Sequence, residues 1–71
     1  MTLHIAKVIE IGAASEKSIE DAVRSGLAKV AATVGEIRGA LVSDIKVCTS
    51  PSGEVTEWRV TMRVTFIVRS D

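Results

Sequence analysis

The pattern of hydrophobic and polar positions changes its period along the chain. Residues 4–12, HIAKVIEIG, are rich in valine and isoleucine and end at a glycine. This run is typical of a β-strand, with apolar residues on both faces and both faces buried. The polar segment AASEKS follows, which predicts a turn at residues 13–18.

A helical period begins after this turn. Apolar or small residues recur at i, i+3, i+4 and i+7, which predicts one amphipathic helix. They are Ile19, Ala22, Val23, Gly26, Leu27, Val30 and Val34. Ser18 is a suitable N-cap, Asp21 completes a weak capping box, and Gly35 suits the C-cap. Gly26 lowers helix propensity, so we expect it where the helix approaches the sheet closely.

Two further strands are predicted after the helix, at residues 36–47 and 56–68. Pro51 and Gly53 lie between them and indicate a hairpin turn. The order is therefore β-α-β-β, an α+β fold. The helical connection should place the first strand beside the third in an antiparallel sheet.

The third strand alternates strictly between apolar and polar residues. Its even positions form the predicted core face: Trp58, Val60, Met62, Val64, Phe66 and Val68. A strand of 13 residues spans roughly 43 Å, whereas a helix of 16 residues covers only roughly 24 Å. One helix cannot cover such a sheet, so either the strand bends sharply or other copies of the chain cover the rest. Because large exposed apolar patches are uncommon on soluble monomers, the pattern predicts a homo-oligomer.

Length, composition and charge limit the classes of protein to which this chain can belong. The chain has 71 residues, which indicates one domain over residues 1–71. Nine basic residues balance nine acidic ones, and no apolar run approaches the roughly 20 residues of a membrane span. We expect a cytoplasmic protein that binds neither nucleic acid nor membrane.

Few residues are candidates for a catalytic or ligand-binding role. His4 and Cys48 lack partners at a motif spacing, so the sequence predicts no enzyme. The third strand carries arginines on its polar face, at Arg59, Arg63 and Arg69. They could bind an anion or form cross-strand ion pairs. Carboxylates near the hairpin could hold a hard cation across symmetry axes: Asp44, Glu54 and Glu57.

Several segments together resemble the dodecin family over nearly the whole chain. They are AKVIEI, SEKSIEDAV, IRGALV, the hairpin with Pro51 and Gly53, and TEWRVTMRVTF. The pair Ser15 and Ser18 and the ending with Val64 and Phe66 also fit. The resemblance implies a three-stranded antiparallel sheet that partly wraps one helix. It also implies a hollow homododecamer that binds and stores flavins.

The resemblance also implies where a flavin would lie. In flavin-binding members a tryptophan stacks on the ring and a glutamine binds its edge. The tryptophan position falls on Gly39, or on Leu41 in sequences of the R-G-A-W-V type, and the glutamine position falls on Arg59. Trp58 lies on the core face and does not substitute for the missing tryptophan.

Two functions follow as expectations. The first is sequestration of a flavin (FMN, riboflavin or FAD), without the stacking tryptophan. Its ligand-binding residues would be Gly39, Leu41, Arg59, Thr61 and Arg63. The second is a flavin-free shell that binds a cation such as calcium or is structural, with Arg59 paired to protein carboxylates.

Overall fold

The computed structural model describes the backbone of residues 3–70 and the side chains of residues 5–68. It contains strand β1 (Leu3–Ser15), helix α1 (Ile19–Val34), strand β2 (Ile37–Thr49) and strand β3 (Val55–Ser70). Both β1 and β2 pair with β3 in antiparallel orientation, so the sheet order is β1-β3-β2. The predicted β-α-β-β fold is confirmed. The side chains of His4 and Arg69 lie outside the described part.

The turn predicted at residues 13–18 is wrong in its first half. Strand β1 continues to Ser15, which pairs with Trp58, and Ala13 pairs with Val60. The two alanines and the serine look like turn residues in the sequence. They remain in the strand because β3 is long enough to pair with each of them.

Helix α1 has the predicted bounds and caps. The Ser18 hydroxyl accepts a hydrogen bond from the Asp21 amide at 3.0 Å, and Gly35 adopts a positive φ of 90° while its N–H donates to the Ala31 carbonyl. The capping box itself does not form. The Asp21 carboxylate instead accepts a hydrogen bond of 2.6 Å from the Ser15 hydroxyl, which connects the helix start to the end of β1.

The core lies between the helix and the even face of β3. Val60, Met62 and Val64 are buried there with Ala22 of the helix. Phe66 is also buried, whereas Trp58 is half-buried. The alternation of β3 therefore predicted the core face correctly.

The helix leaves part of this face uncovered. On the helix side of β2, Val42, Ile45 and Val47 keep 37%, 54% and 41% of their surface exposed. Val8, on the other side of β1, is 58% exposed, so the predicted burial of both faces of β1 does not occur within one chain. The principal extents of 59 × 19 × 13 Å reflect strands that run well past the helix. Over residues 3–70, no helix has the length and apolar character needed to cross a membrane.

Candidate ligand-binding face

The side of the sheet opposite the helix carries most of the polar residues. We call it the open face, and it follows from the strand register, since directly paired residues point to the same side. Strand β3 contributes Arg59, Thr61, Arg63 and Thr65 to it. Strand β1 contributes Ala6, Val8, Glu10, Gly12 and Ala14. Strand β2 contributes Gly39, Leu41, Asp44, Lys46 and Cys48.

Two β-bulges decide which residues of β2 reach the open face. The register shifts between Ile37 and Gly39, and again between Val42 and Asp44, so one residue is unpaired at each place. A bulge residue reverses the alternation that follows it. The second bulge is at Ser43, so Asp44 and Lys46, which follow it, lie on the open face. The Ser43 hydroxyl donates a hydrogen bond of 3.2 Å to the Thr61 carbonyl.

A depression of about 390 Å³ lies on the open face where the small residues of β1 leave room. Its open-face lining consists of Gly12, Ala14, Asp44, Lys46, Arg59 and Thr61. Thr61 is paired with Gly12 on one side and with Asp44 on the other, and Arg59 is paired with Ala14 and Lys46. We call this surface the polar depression. Its side chains can both donate hydrogen bonds to a ligand and accept hydrogen bonds from it.

Arg59 does not present a free guanidinium to the polar depression. Its Nε donates to the Glu57 carboxylate two residues earlier on the same face. This hydrogen bond, and the negative charge of Glu57, raise the pKa of Arg59 above its usual value. Glu57 also accepts a contact of 3.9 Å from the Cys48 thiol. The expectation that Arg59 pairs with a protein carboxylate therefore matches the geometry.

Asp44 and Lys46 are the free charges of the polar depression. Among the described residues, neither side chain makes a hydrogen bond or an ion pair. Two residues apart on one strand, they lie roughly 7 Å from each other along the strand direction. A ligand that carries both a donor group and an anionic group would find a partner for each.

The other half of the open face is more apolar. Leu41 is 63% exposed and pairs with Arg63, and Val8 flanks Thr65 on the far side from Gly39. A Cβ built at Gly39 would meet no atom within 4 Å. We call Val8, Glu10, Gly39, Leu41, Arg63 and Thr65 the Leu41 patch. It is a three-stranded surface next to the polar depression.

The five ligand-binding residues predicted from the sequence all lie on the open face, in two groups. Arg59 and Thr61 line the polar depression, whereas Gly39, Leu41 and Arg63 belong to the Leu41 patch. Gly12, Ala14 and Lys46 could not be identified from the sequence, and Asp44 was predicted only as a ligand for a cation. The bulge at Ser43 places Asp44 and Lys46 on the open face, whereas simple alternation would put them on the helix side.

The carboxylates considered for a cation do not form a site within one chain. Over the described residues, no group of three or more histidine, cysteine, aspartate or glutamate side chains is arranged to hold a metal ion. Glu57 is already paired with Arg59. Any cation site that uses Asp44 would need ligands from another copy of the chain.

Comparison with known proteins agrees with this fold. A variant of the T. thermophilus dodecin with one arginine changed to alanine has 25% sequence identity and a TM-score of 0.86, over 94% of this chain and 98% of that chain. The dodecin of Streptomyces davaonensis has 25% identity and a TM-score of 0.85, over 92% of this chain and 94% of that one.

A third similar structure is a calcium-chelating immunodominant antigen of Mycobacterium tuberculosis, described as a calcium dodecin with a novel calcium-binding site. It has 27% identity and a TM-score of 0.76, over 87% of each chain. No curated protein sequence matches the chain. The Dodecin family model matches residues 5–69, which is nearly the whole chain. The chain belongs to the dodecin family.

Proposed function

We propose that this dodecin binds and stores a flavin or a related planar, phosphate-bearing ligand on the open face of its sheet, within a cytoplasmic homododecamer. The proposal rests on the presence of two adjoining surfaces of different character on that face. The Leu41 patch offers apolar area, and the polar depression offers hydrogen-bonding groups. Members of the family are small binding proteins, and the proposal includes no catalysis.

The uncovered apolar residues of β2 support the assembly. Val42, Ile45 and Val47 lie on the helix side of the sheet, past the reach of the helix. Their burial would require contact with other copies of the chain, since exposed apolar patches of this kind mark interaction surfaces. The open face remains available for a ligand if the copies meet through the helix side and the sheet edges.

The absence of a tryptophan at Gly39 and Leu41 should affect the affinity for the flavin more than the place where the flavin binds. Stacking of a ring on an aromatic side chain contributes about 1–3 kcal/mol, so a site without it should bind about 5- to 150-fold more weakly. Affinities for riboflavin and FMN in the micromolar range or weaker are therefore expected. The site would then release flavin more readily than one that encloses the ring between aromatic side chains.

Equilibrium dialysis of the assembled protein against riboflavin and FMN tests the proposal. Dialysis measures binding directly, whereas quenching of flavin fluorescence depends on a nearby aromatic donor that this site lacks. Retention of flavin at tens of micromolar is expected. The proposal is wrong if the intact assembly retains neither flavin at these concentrations.

A pair of matched variants tests the location. Thr61→Val removes one hydroxyl from the centre of the polar depression and should weaken riboflavin binding about 2- to 10-fold, the equivalent of one hydrogen bond. Thr33→Val makes the same change on the helix, where the hydroxyl donates a hydrogen bond to the Lys29 carbonyl. Equal affinities of the two variants would place the flavin elsewhere.

A second candidate function is calcium binding. The free carboxylate of Asp44 favours it, since oxygen ligands suit calcium, and one similar structure is described as a calcium dodecin. The ion would bind between copies of the chain. Calorimetric titration with calcium should give a binding heat that Asp44→Asn abolishes and Glu16→Gln leaves unchanged. Absence of heat with the wild-type assembly would exclude this function.

A further inference from the structure

The Leu41 patch carries the two most exposed large hydrophobic residues in the described part of the chain. Leu41 is 63% exposed and Val8 is 58% exposed, and both point away from the helix. Val8, Thr65 and the bare backbone of Gly39 form one row across the three strands, and Leu41 lies in the next row, beside Gly39. Because adjacent strands are about 4.8 Å apart, each row spans about 10 Å, which is close to the length of a fused three-ring system.

Arg63 lies at the centre of the adjacent row, between Glu10 and Leu41. Its side chain is 61% exposed, and its Nε is 4.0 Å from the nearest Glu10 carboxylate oxygen. This distance is the outer limit of an ion pair. By contrast, Arg59 is held by a direct hydrogen bond to Glu57. Among the open-face side chains of residues 5–68, Arg63 is therefore the arginine whose planar group remains available to a ligand.

We propose that Arg63 is a specificity-determining residue of this dodecin: its guanidinium plane packs on the ring of a planar conjugated ligand that rests on Leu41, and it takes over the role of an aromatic platform. This inference rests on the proposed function and assigns the ring to the Leu41 patch. The polar tail of the ligand then extends toward Asp44 and Lys46.

The physical reason is the shape of the guanidinium group. Arginine stacks on aromatic faces because its charge is delocalised over a plane that is only weakly hydrated, whereas the ammonium of lysine is a compact and strongly hydrated charge. A stacking role therefore requires arginine. A role as a positive charge alone would be equally met by lysine. The Arg63→Lys substitution separates the two roles.

Lumiflavin, the isoalloxazine ring without the ribityl chain, is the probe for the ring surface. Its affinity for the assembled wild-type protein is compared by equilibrium dialysis with that of Arg63→Lys and Arg63→Gln. Both variants should bind lumiflavin about fivefold more weakly, or worse, and by similar factors. Arg24→Lys and Arg24→Gln, on an exposed part of the helix, make the same changes away from the sheet and should have no effect.

The outcomes distinguish this inference from the proposed function. Wild-type affinity in Arg63→Lys together with a loss in Arg63→Gln would mean that only charge matters, and the inference would be wrong. Binding of riboflavin without binding of lumiflavin would also overturn it but leave the proposed function intact. Binding of neither compound would overturn the proposed function itself. A Leu41→Trp background adds a positive test, because the new aromatic should reduce the loss caused by Arg63→Lys.

Discussion

Replacement of Gly26 by alanine, in the middle of the helix, should have two opposing effects on the stability of the fold. Alanine is favoured over glycine in a helix by about 1 kcal/mol. The new Cβ, however, would lie 2.9 Å from the Cβ of Ala13 and 3.2 Å from the Cε of Met62. The Met62 methyl can move, but the Ala13 Cβ is fixed to the backbone of β1. The helix and the strand must therefore separate.

Overpacking of this kind costs about 1–3 kcal/mol. After subtraction of the gain in helix propensity, Gly26→Ala should lower the free energy of unfolding by about 1 kcal/mol. Urea unfolding followed by circular dichroism measures the change, with all variants at one protein concentration because assembly stabilises the folded state. The control is Ser25→Ala, an exposed neighbour that gains helix propensity without the addition of a Cβ.

A rescue experiment makes the test specific. Ala13→Gly in the Gly26→Ala background removes the atom that causes the closest contact, so the two substitutions together should cost less than the sum of their separate effects. If Gly26→Ala is instead more stable than the wild type, helix propensity decides the outcome. The close approach of helix and sheet would then be refuted.

Three further predictions concern the site, the helix start and the assembly. Leu41→Trp should strengthen riboflavin binding about 5- to 150-fold by equilibrium dialysis; an equal gain from Val47→Trp, on the helix side, would contradict the assignment of the face. Ser15→Ala removes the hydrogen bond to Asp21 and should lower the free energy of unfolding by about 2 kcal/mol, whereas an effect no larger than that of Ser25→Ala would show that this bond contributes little. Native mass spectrometry should detect twelve subunits, and a stable monomer would contradict the proposed assembly.

The order and type of the elements could be predicted because local signals agree with the tertiary structure. The helix begins after Ser18 and ends before Gly35, as its apolar spacing and caps indicate. The strict alternation of β3 identified the buried residues Val60, Met62 and Val64. The end of β1 was missed because pairing with a long neighbouring strand overrides the turn preference of small residues.

The candidate site was only partly predictable. Arg59 and Arg63 could be placed on the open face from the alternation of β3, and Leu41 from the resemblance to the dodecin family. Asp44 and Lys46 could not, because the bulge at Ser43 reverses the alternation and no residue type marks a bulge reliably. The pairing of Arg59 with Glu57 was one of two alternatives, and the i, i+2 spacing on a strand permits it.

A crystal structure of the assembled protein grown with saturating riboflavin would show whether the open face of this dodecin holds a flavin. The ring is expected on the Leu41 patch against Arg63, with its ribityl chain in the polar depression beside Asp44 and Lys46. An open face that is buried against another subunit, or a flavin bound on the helix side, would contradict this expectation.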